Sequence, residues 1–192
     1  MPQRILCRFL LFLVATVVAV GAGTEAYAQN EEGGMPDAKL YVSGNLFGYW
    51  ETADGGLSGS SYGGGATFGY FFRPTWTLNG EVAIPGYFTD DDDDDDLATQ
   101  QHRHIELALL LGWHPARGTA RDINLLIGLA FLKVQYRSEL VADFSESRGA
   151  LVVGIDWRIP LGESFAVVPQ ARAHVTTGTF VFRGGAGLQV DF

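Results

Sequence analysis

The carboxyl-terminal stretch TFVFRGGAGLQVDF, Thr179 to Phe192, decides the fold. Phe180, Phe182, Gly184, Ala186, Leu188, Val190 and Phe192 share one parity, and Arg183, Gln189 and Asp191 share the other. Successive side chains of a strand point to opposite sides, so a period of two separates an apolar face from a polar one. The separation recurs upstream. Phe165, Val167, Ala171, Ala173 and Val175 oppose Gln170, Arg172 and His174. Leu151, Val153, Ile155, Trp157 and Ile159 oppose Asp156 and Arg158, and Ile105, Leu107, Leu109, Leu111 and Trp113 oppose His104 and Glu106. Trp76, Leu78, Val82 and Ile84 oppose Asn79 and Glu81.

Eight such segments follow one another: Ala38–Thr52, Tyr62–Arg73, Thr75–Phe88, His102–His114, Ile123–Arg137, Arg148–Ile159, Phe165–Thr176 and Thr179–Phe192. Each reaches the roughly 9–11 residues that a tilted membrane strand needs. The fifth is the least regular, because Leu125, Ile127, Leu129 and Phe131 share the parity of Lys133, Gln135 and Arg137. Its first half reads equally as a buried strand or a helix, and Gly128 with the β-branched residues favours strand. The connections Ala53–Ser61, Thr89–Gln101 and Glu139–Ser147 are long or polar. Short turns lie near Arg73–Pro74, within His114–Asp122 and in Pro160–Ser164, and the last connection, Thr177–Gly178, is short too and breaks the trend. With both chain ends in the periplasm, the three long ones fall on the outer side, the asymmetry expected of a membrane barrel.

Periodicity alone does not say which face meets water. The amino terminus helps. Arg4 and Arg8 precede an apolar stretch from Phe9 to about Ala22, followed by Ala26-Tyr27-Ala28. That order is a secretory signal peptide, so residues 1–28 are expected to be removed after Ala28. Residues 29–37 form a short polar leader, and residues 38–192 the barrel domain. The single cysteine, Cys7, lies in the removed segment, which excludes a disulfide framework or a Cys-based metal site in the mature chain. Export, mixed-sign charges on the polar face and aromatics near strand ends (Trp50, Trp76, Trp113, Tyr136, Phe192) place the apolar face outward against lipid. The expected fold is all-β, an eight-stranded antiparallel up-and-down transmembrane β-barrel. The formal net charge of −9 argues against nucleic acid as a partner.

The mature segment resembles the small eight-stranded bacterial outer-membrane β-barrel domains, the OmpA-like and OmpX-like transmembrane barrels. The sharpest local match is Gly187-Leu188-Gln189-Val190-Asp191-Phe192, in which Gly187, Val190 and Phe192 stand where such barrels carry their carboxyl-terminal insertion signal. Gly185 departs from the polar residue found upstream in that signal. The resemblance implies a Gram-negative outer membrane reached through the periplasm. The implied partners are membrane lipid, lipopolysaccharide and, during insertion, the outer-membrane assembly machinery. It leaves several roles open: envelope integrity, adhesion, surface recognition or lipid enzymology.

The polar face yields a candidate lumen network of Lys39, Arg73, Glu81, Glu106, Lys133, Arg137, Asp156, Arg158, Arg172, His174, Arg183 and Asp191. An eight-stranded interior is just wide enough to be filled by side chains, so a salt-bridged plug is favoured over a pore. Asp90, Asp91, Asp92, Asp93, Asp94, Asp95 and Asp96 form an acidic run in the second long connection. The plain reading is a solvated loop. The functional one is loose capture of Ca²⁺ or Mg²⁺, hard ions that take oxygen ligands and bridge to lipopolysaccharide. His102 and His104 share a strand face and suit a transition metal, though no third ligand is indicated. His174-Val175-Thr176 invites comparison with the His-x-Ser of lipid A deacylase barrels, but a Thr stands at the nucleophile position and parity turns His174 inward. Gly63-Gly64-Gly65 lacks the helix and lysine of a phosphate loop and reads as close strand packing. No cofactor or catalytic set is expected. The leading function is a structural or surface-interaction barrel with a largely closed lumen. The alternatives are a narrow porin-like channel, a lipid-modifying barrel enzyme and a soluble secreted lipocalin-like barrel.

Overall fold

The computed structural model describes residues 40–53, 58–90, 101–117, 122–137 and 144–192. The expected signal peptide and polar leader, Lys39 and Asp91 to Asp96 lie outside the described residues.

The strands are β1 (Leu40–Ala53), β2 (Ser58–Arg73), β3 (Trp76–Pro85), β4 (Thr89–Asp90), β5 (Gln101–Trp113), β6 (Asp122–Arg137), β7 (Phe144–Pro160), β8 (Phe165–Thr176) and β9 (Thr179–Asp191). Their order is β1-β9-β8-β7-β6-β5-β3-β2, and β1 also pairs with β2. Every pairing is antiparallel. The two-residue β4 hangs from the end of β2. Eight long strands therefore close on themselves. Closure gives each strand two neighbours and removes the edges, which hydrocarbon requires because it offers no partner for a backbone N–H or C=O.

The expected segments match these strands, with β8 residue for residue. Most starts agree to within about two residues; those of β2 and β7 differ more, and backbone pairing explains both. β2 begins at Ser58, ahead of Tyr62, because β1 runs on and pairs Thr52 with Ser58 and Glu51 with Gly59. β7 begins at Phe144, ahead of Arg148, because β6 pairs with it out to Tyr136. Ser- and Gly-rich strand ends carry no alternation to read, yet their backbones pair as well as any. At the other extreme β3 stops at Pro85, before the expected Phe88. Proline cannot donate to the ladder, and Phe88 keeps only an isolated bridge to His102.

The faces follow parity. Leu46, Leu107, Leu109, Leu129, Phe131, Ile155, Phe182 and Leu188 are exposed on the outer wall. Tyr41, Asn45, Asn79, Glu81, Glu106, Arg172, His174 and Arg183 are buried inside. A chain that leaves leucines bare and sequesters carboxylates is inverted relative to a water-soluble barrel. The molecule is a transmembrane β-barrel. The interior is not uniformly polar: Ala108, Leu110, Leu126, Ala130, Leu132, Ala150 and Val152 form an inward apolar patch on β5, β6 and β7. This explains the irregular fifth segment, since β6 is apolar toward lipid and apolar toward this patch.

Glycines fit the large lumen side chains. A Cβ on Gly154 would stand 2.6 Å from Cδ of Arg172, so the bare backbone of β7 leaves that guanidinium its place. Gly63 and Gly65 abut the β3 backbone, which supports the close-packing reading of the triple glycine. At the β8–β9 turn Gly178 has φ 77°, a conformation glycine adopts without strain.

The face assignment is checked at Leu129, which is 68 % exposed. Leu129→Arg is expected to lower stability in phospholipid vesicles by about 2–4 kcal/mol, the cost of a cation near the bilayer midplane. Guanidinium unfolding followed by tryptophan fluorescence measures it. An unchanged midpoint would mean that the outer wall does not face hydrocarbon.

Candidate functional site: an ion-paired lumen

The lumen is built in layers, each drawing side chains from strands that are not neighbours. At the centre, the Arg172 guanidinium on β8 donates to Asp156 Oδ1 on β7 at 2.6 Å and to Glu81 Oε2 on β3 at 3.1 Å. Arg183 on β9 pairs with the other oxygen of Glu81 and reaches Glu106 Oε2 on β5 at 3.3 Å. His174 Nε2 lies 2.9 Å from Glu106 Oε1. Three carboxylates, two guanidiniums and one imidazole thus form one chain across the barrel. The side chains of Arg172, Arg183 and His174 are each 1 % exposed. Buried charges are tolerated only when paired and hydrogen-bonded, and here the charged groups alternate in sign.

The flanking layers complete the plug. On one side Arg183 lies over the Phe47 ring, 4.7 Å from its centroid, with Tyr49 at 5.9 Å. On the other, the Tyr41 hydroxyl donates to Asn79, which donates to Thr77 Oγ1 at 3.0 Å, and Asn45 donates to Thr67 Oγ1 at 2.9 Å. At the end with the short turns, His114 Nδ1 lies 2.9 Å from Asp122 Oδ1, and Arg158 lies between Asp122 and Asp191. At the end with the long connections, Glu51 on β1 faces His102 and His104 on β5.

Glu81, Glu106, Asp156, Arg158, Arg172, His174, Arg183 and Asp191 thus come together in the lumen. Two residues do not. Lys133 is exposed on the outer wall. β6 keeps an unbroken register with β5 and β7, so Lys133 follows Leu129 and Phe131 outward. Arg73 is also exposed. The β2–β3 register shifts between Phe71 and Arg73, and the irregularity turns Arg73 out of the inward series. The side chain of Arg137 lies outside the described residues, as does Lys39. In the terminal signal, Gly187 is buried opposite Asn45, and Phe192 is exposed at the chain end.

Sequence reasoning missed Glu51, His114 and Asp122. Glu51 has the parity of Tyr41, Asn45 and Tyr49 on β1, so that parity was the available signal. His114 and Asp122 sit at strand ends, where alternation fades. His174 is sequestered against Glu106 and its ring has no access to lipid, so the His174–Thr176 pair is not arranged as a nucleophile and base facing an acyl chain.

The fold and lumen define the class: a small, closed, eight-stranded membrane barrel. Solved outer-membrane barrels share it. The attachment invasion locus protein Ail of Yersinia pestis matches with a TM-score of 0.58 at 14 % identity, over 81 % of this chain and 99 % of that one. Neisserial surface protein A matches with a TM-score of 0.56 at 11 % identity, over 80 % and 97 % of the two chains. OprG of Pseudomonas aeruginosa matches with a TM-score of 0.56 at 16 % identity, over 81 % and 96 %. At these identities the likeness is one of fold. No protein-family model and no curated protein matches the sequence.

Removing Glu106 takes the carboxylate partner from His174 and one of two from Arg183, which keeps Glu81. Glu106→Ala is expected to cost about 3–5 kcal/mol, the usual penalty for breaking a buried ion pair by removing one partner. The midpoint of urea unfolding in vesicles reads this. A loss under about 1 kcal/mol, the range of exposed pairs, would mean that water screens the network.

Proposed function

We propose that this protein is a bacterial outer-membrane barrel with a closed lumen, serving the envelope as a structural or surface-contact element and carrying out no reaction. The observation that carries the reading is the chain Asp156–Arg172–Glu81–Arg183–Glu106–His174, which crosses the lumen and fills it with paired charge. A solute would have to break several buried ion pairs to pass.

With the interior committed to structure, specificity falls to the loops. Residues Asp54, Asp90 to Asp96, Glu139 and Asp143 make the three long connections acidic, and no lysine or arginine lies within 54–57, 89–100 or 138–143. The Ail barrel has been crystallised with the heparin analogue sucrose octasulfate. Acidic connections repel a polysulfate, so this chain is matched instead to divalent cations and, through them, to the phosphates of lipopolysaccharide. The same reading takes residues 1–28 as the export signal. It takes Gly187, Val190 and Phe192 as the contact for the outer-membrane assembly machinery, and lipid as the barrel's permanent partner.

The protein is expected to fractionate with the outer membrane and to shift in gel mobility on boiling. In planar bilayers it is expected to give no steady current. Reproducible unit conductance that changes on Arg172→Ala would establish the narrow channel in place of the closed barrel. Release into the periplasm without a heat shift would establish a soluble barrel.

A further inference from the structure

Glu51, His102 and His104 converge at the mouth of the barrel that bears the long connections. One carboxylate oxygen, Oε2 of Glu51, lies 2.8 Å from His102 Nε2 and 3.4 Å from His104 Nε2. The three potential donor atoms all lie within 4.8 Å of one another. From this geometry we infer a binding site for one divalent first-row transition metal ion, with Glu51, His102 and His104 as its three protein ligands.

The chemistry of the donor set fits such an ion. Two imidazoles and a carboxylate suit Zn²⁺, Cu²⁺ or Ni²⁺ better than Ca²⁺ or Mg²⁺, which prefer oxygen throughout. Ligands about 2.0–2.1 Å from a tetrahedral centre stand some 3.3 Å apart, close to the separations already present. An ion would enter by small shifts of side chains, with no strand moved. His102 and His104 are two residues apart on β5, and a strand places such residues on one face. Glu51 comes from β1, which is not paired with β5, so the site spans the mouth.

The surroundings hold the ligands in place. Phe88 stacks on the His102 ring at 5.0 Å with 10° between planes, and it lies 5.4 Å from the His104 ring. Its own position is fixed by a backbone bond, Phe88 N donating to His102 O at 2.7 Å. Tyr49 packs edge-on against Phe88 at 6.0 Å. Glu51 and His104 are buried, whereas the side chain of His102 is 27 % exposed, so the site is walled on one side and open on another. The open side gives an entry path and room for a water ligand. Arg148 is paired with Glu146.

An ion bound here would tie β1 to β5 across the mouth and stabilise the folded barrel by mass action. It would also be distinct from loose capture of hard ions by the acidic run Asp90 to Asp96.

The test is calorimetric titration of Zn²⁺ into the protein purified from outer membranes in detergent, with gel heat-shift confirming that each variant is folded. One Zn²⁺ per chain with a micromolar or tighter Kd is expected. Glu51→Gln, His102→Gln and His104→Gln should each weaken it at least about tenfold, because even outer-shell partners of a metal cost that much when removed. Replacing Asp90 to Asp96 by serine should leave it in place. As a readout that needs no variant, Co²⁺ bound to the unaltered protein should show the strong visible absorption of a tetrahedral ion, bleached by added Zn²⁺. Lack of saturable Zn²⁺ binding would overturn the inference. So would a titration lost with the aspartate run and untouched by Glu51→Gln or His104→Gln.

Discussion

Glu81 is the residue on which the interior turns. Its Oε2 accepts from Arg172 on β8, its Oε1 is ion-paired with Arg183 on β9, and it stands on β3, across the lumen from both. A carboxylate buried to this depth is tolerated only with cationic partners, and those cations are tolerated only because Asp156 and Glu106 engage them in turn. The registers of β3, β5, β7, β8 and β9 therefore have to agree. A slip of one residue in any of them turns its charged groups toward lipid. The lumen network contributes specificity of register as well as stability, and the leucines of the outer wall follow from the same parity.

This inversion of a water-soluble barrel shapes the remaining chemistry. Lipid accepts the apolar wall without conditions, so that wall needs only hydrophobicity and admits Leu, Phe, Ile and Val interchangeably. The lumen is far more demanding. Gly154 must be small where Arg172 passes, and Phe47 and Tyr49 must present their rings beneath Arg183. The two ends then differ. One carries His114, Asp122, Arg158 and Asp191, while the other gathers Glu51, His102 and His104, whose potential donor atoms lie within 4.8 Å of one another.

How much of this is legible in the sequence depends on whether a residue's partner lies along the strand or across the barrel. β8 and β9 announce themselves because Phe165 to Val175 and Phe180 to Phe192 alternate almost without exception, and alternation is a local property. Glu81, Glu106, Arg172, His174 and Arg183 are readable as lumen residues for the same reason. Lys133 misleads because charge alone argues for the interior. Its parity with Leu129 and Phe131 argues the opposite, and the unbroken register of β6 obeys parity. Arg73 misleads because a register shift near Phe71 leaves no mark in the sequence. The third member of the Glu51–His102–His104 cluster is invisible for a deeper reason: it is 51 residues from His102, and only barrel closure brings them together.

Glu81 and Arg183 act as one unit inside the lumen. A double-mutant cycle tests it directly: Glu81→Gln, Arg183→Met and the pair, each unfolded by guanidinium from phospholipid vesicles. The two losses are expected to be strongly non-additive, with a coupling of about 1–3 kcal/mol and the double variant more stable than the sum of the single losses implies. Additivity within about 0.5 kcal/mol would contradict it, since residues that add so closely do not share an interaction.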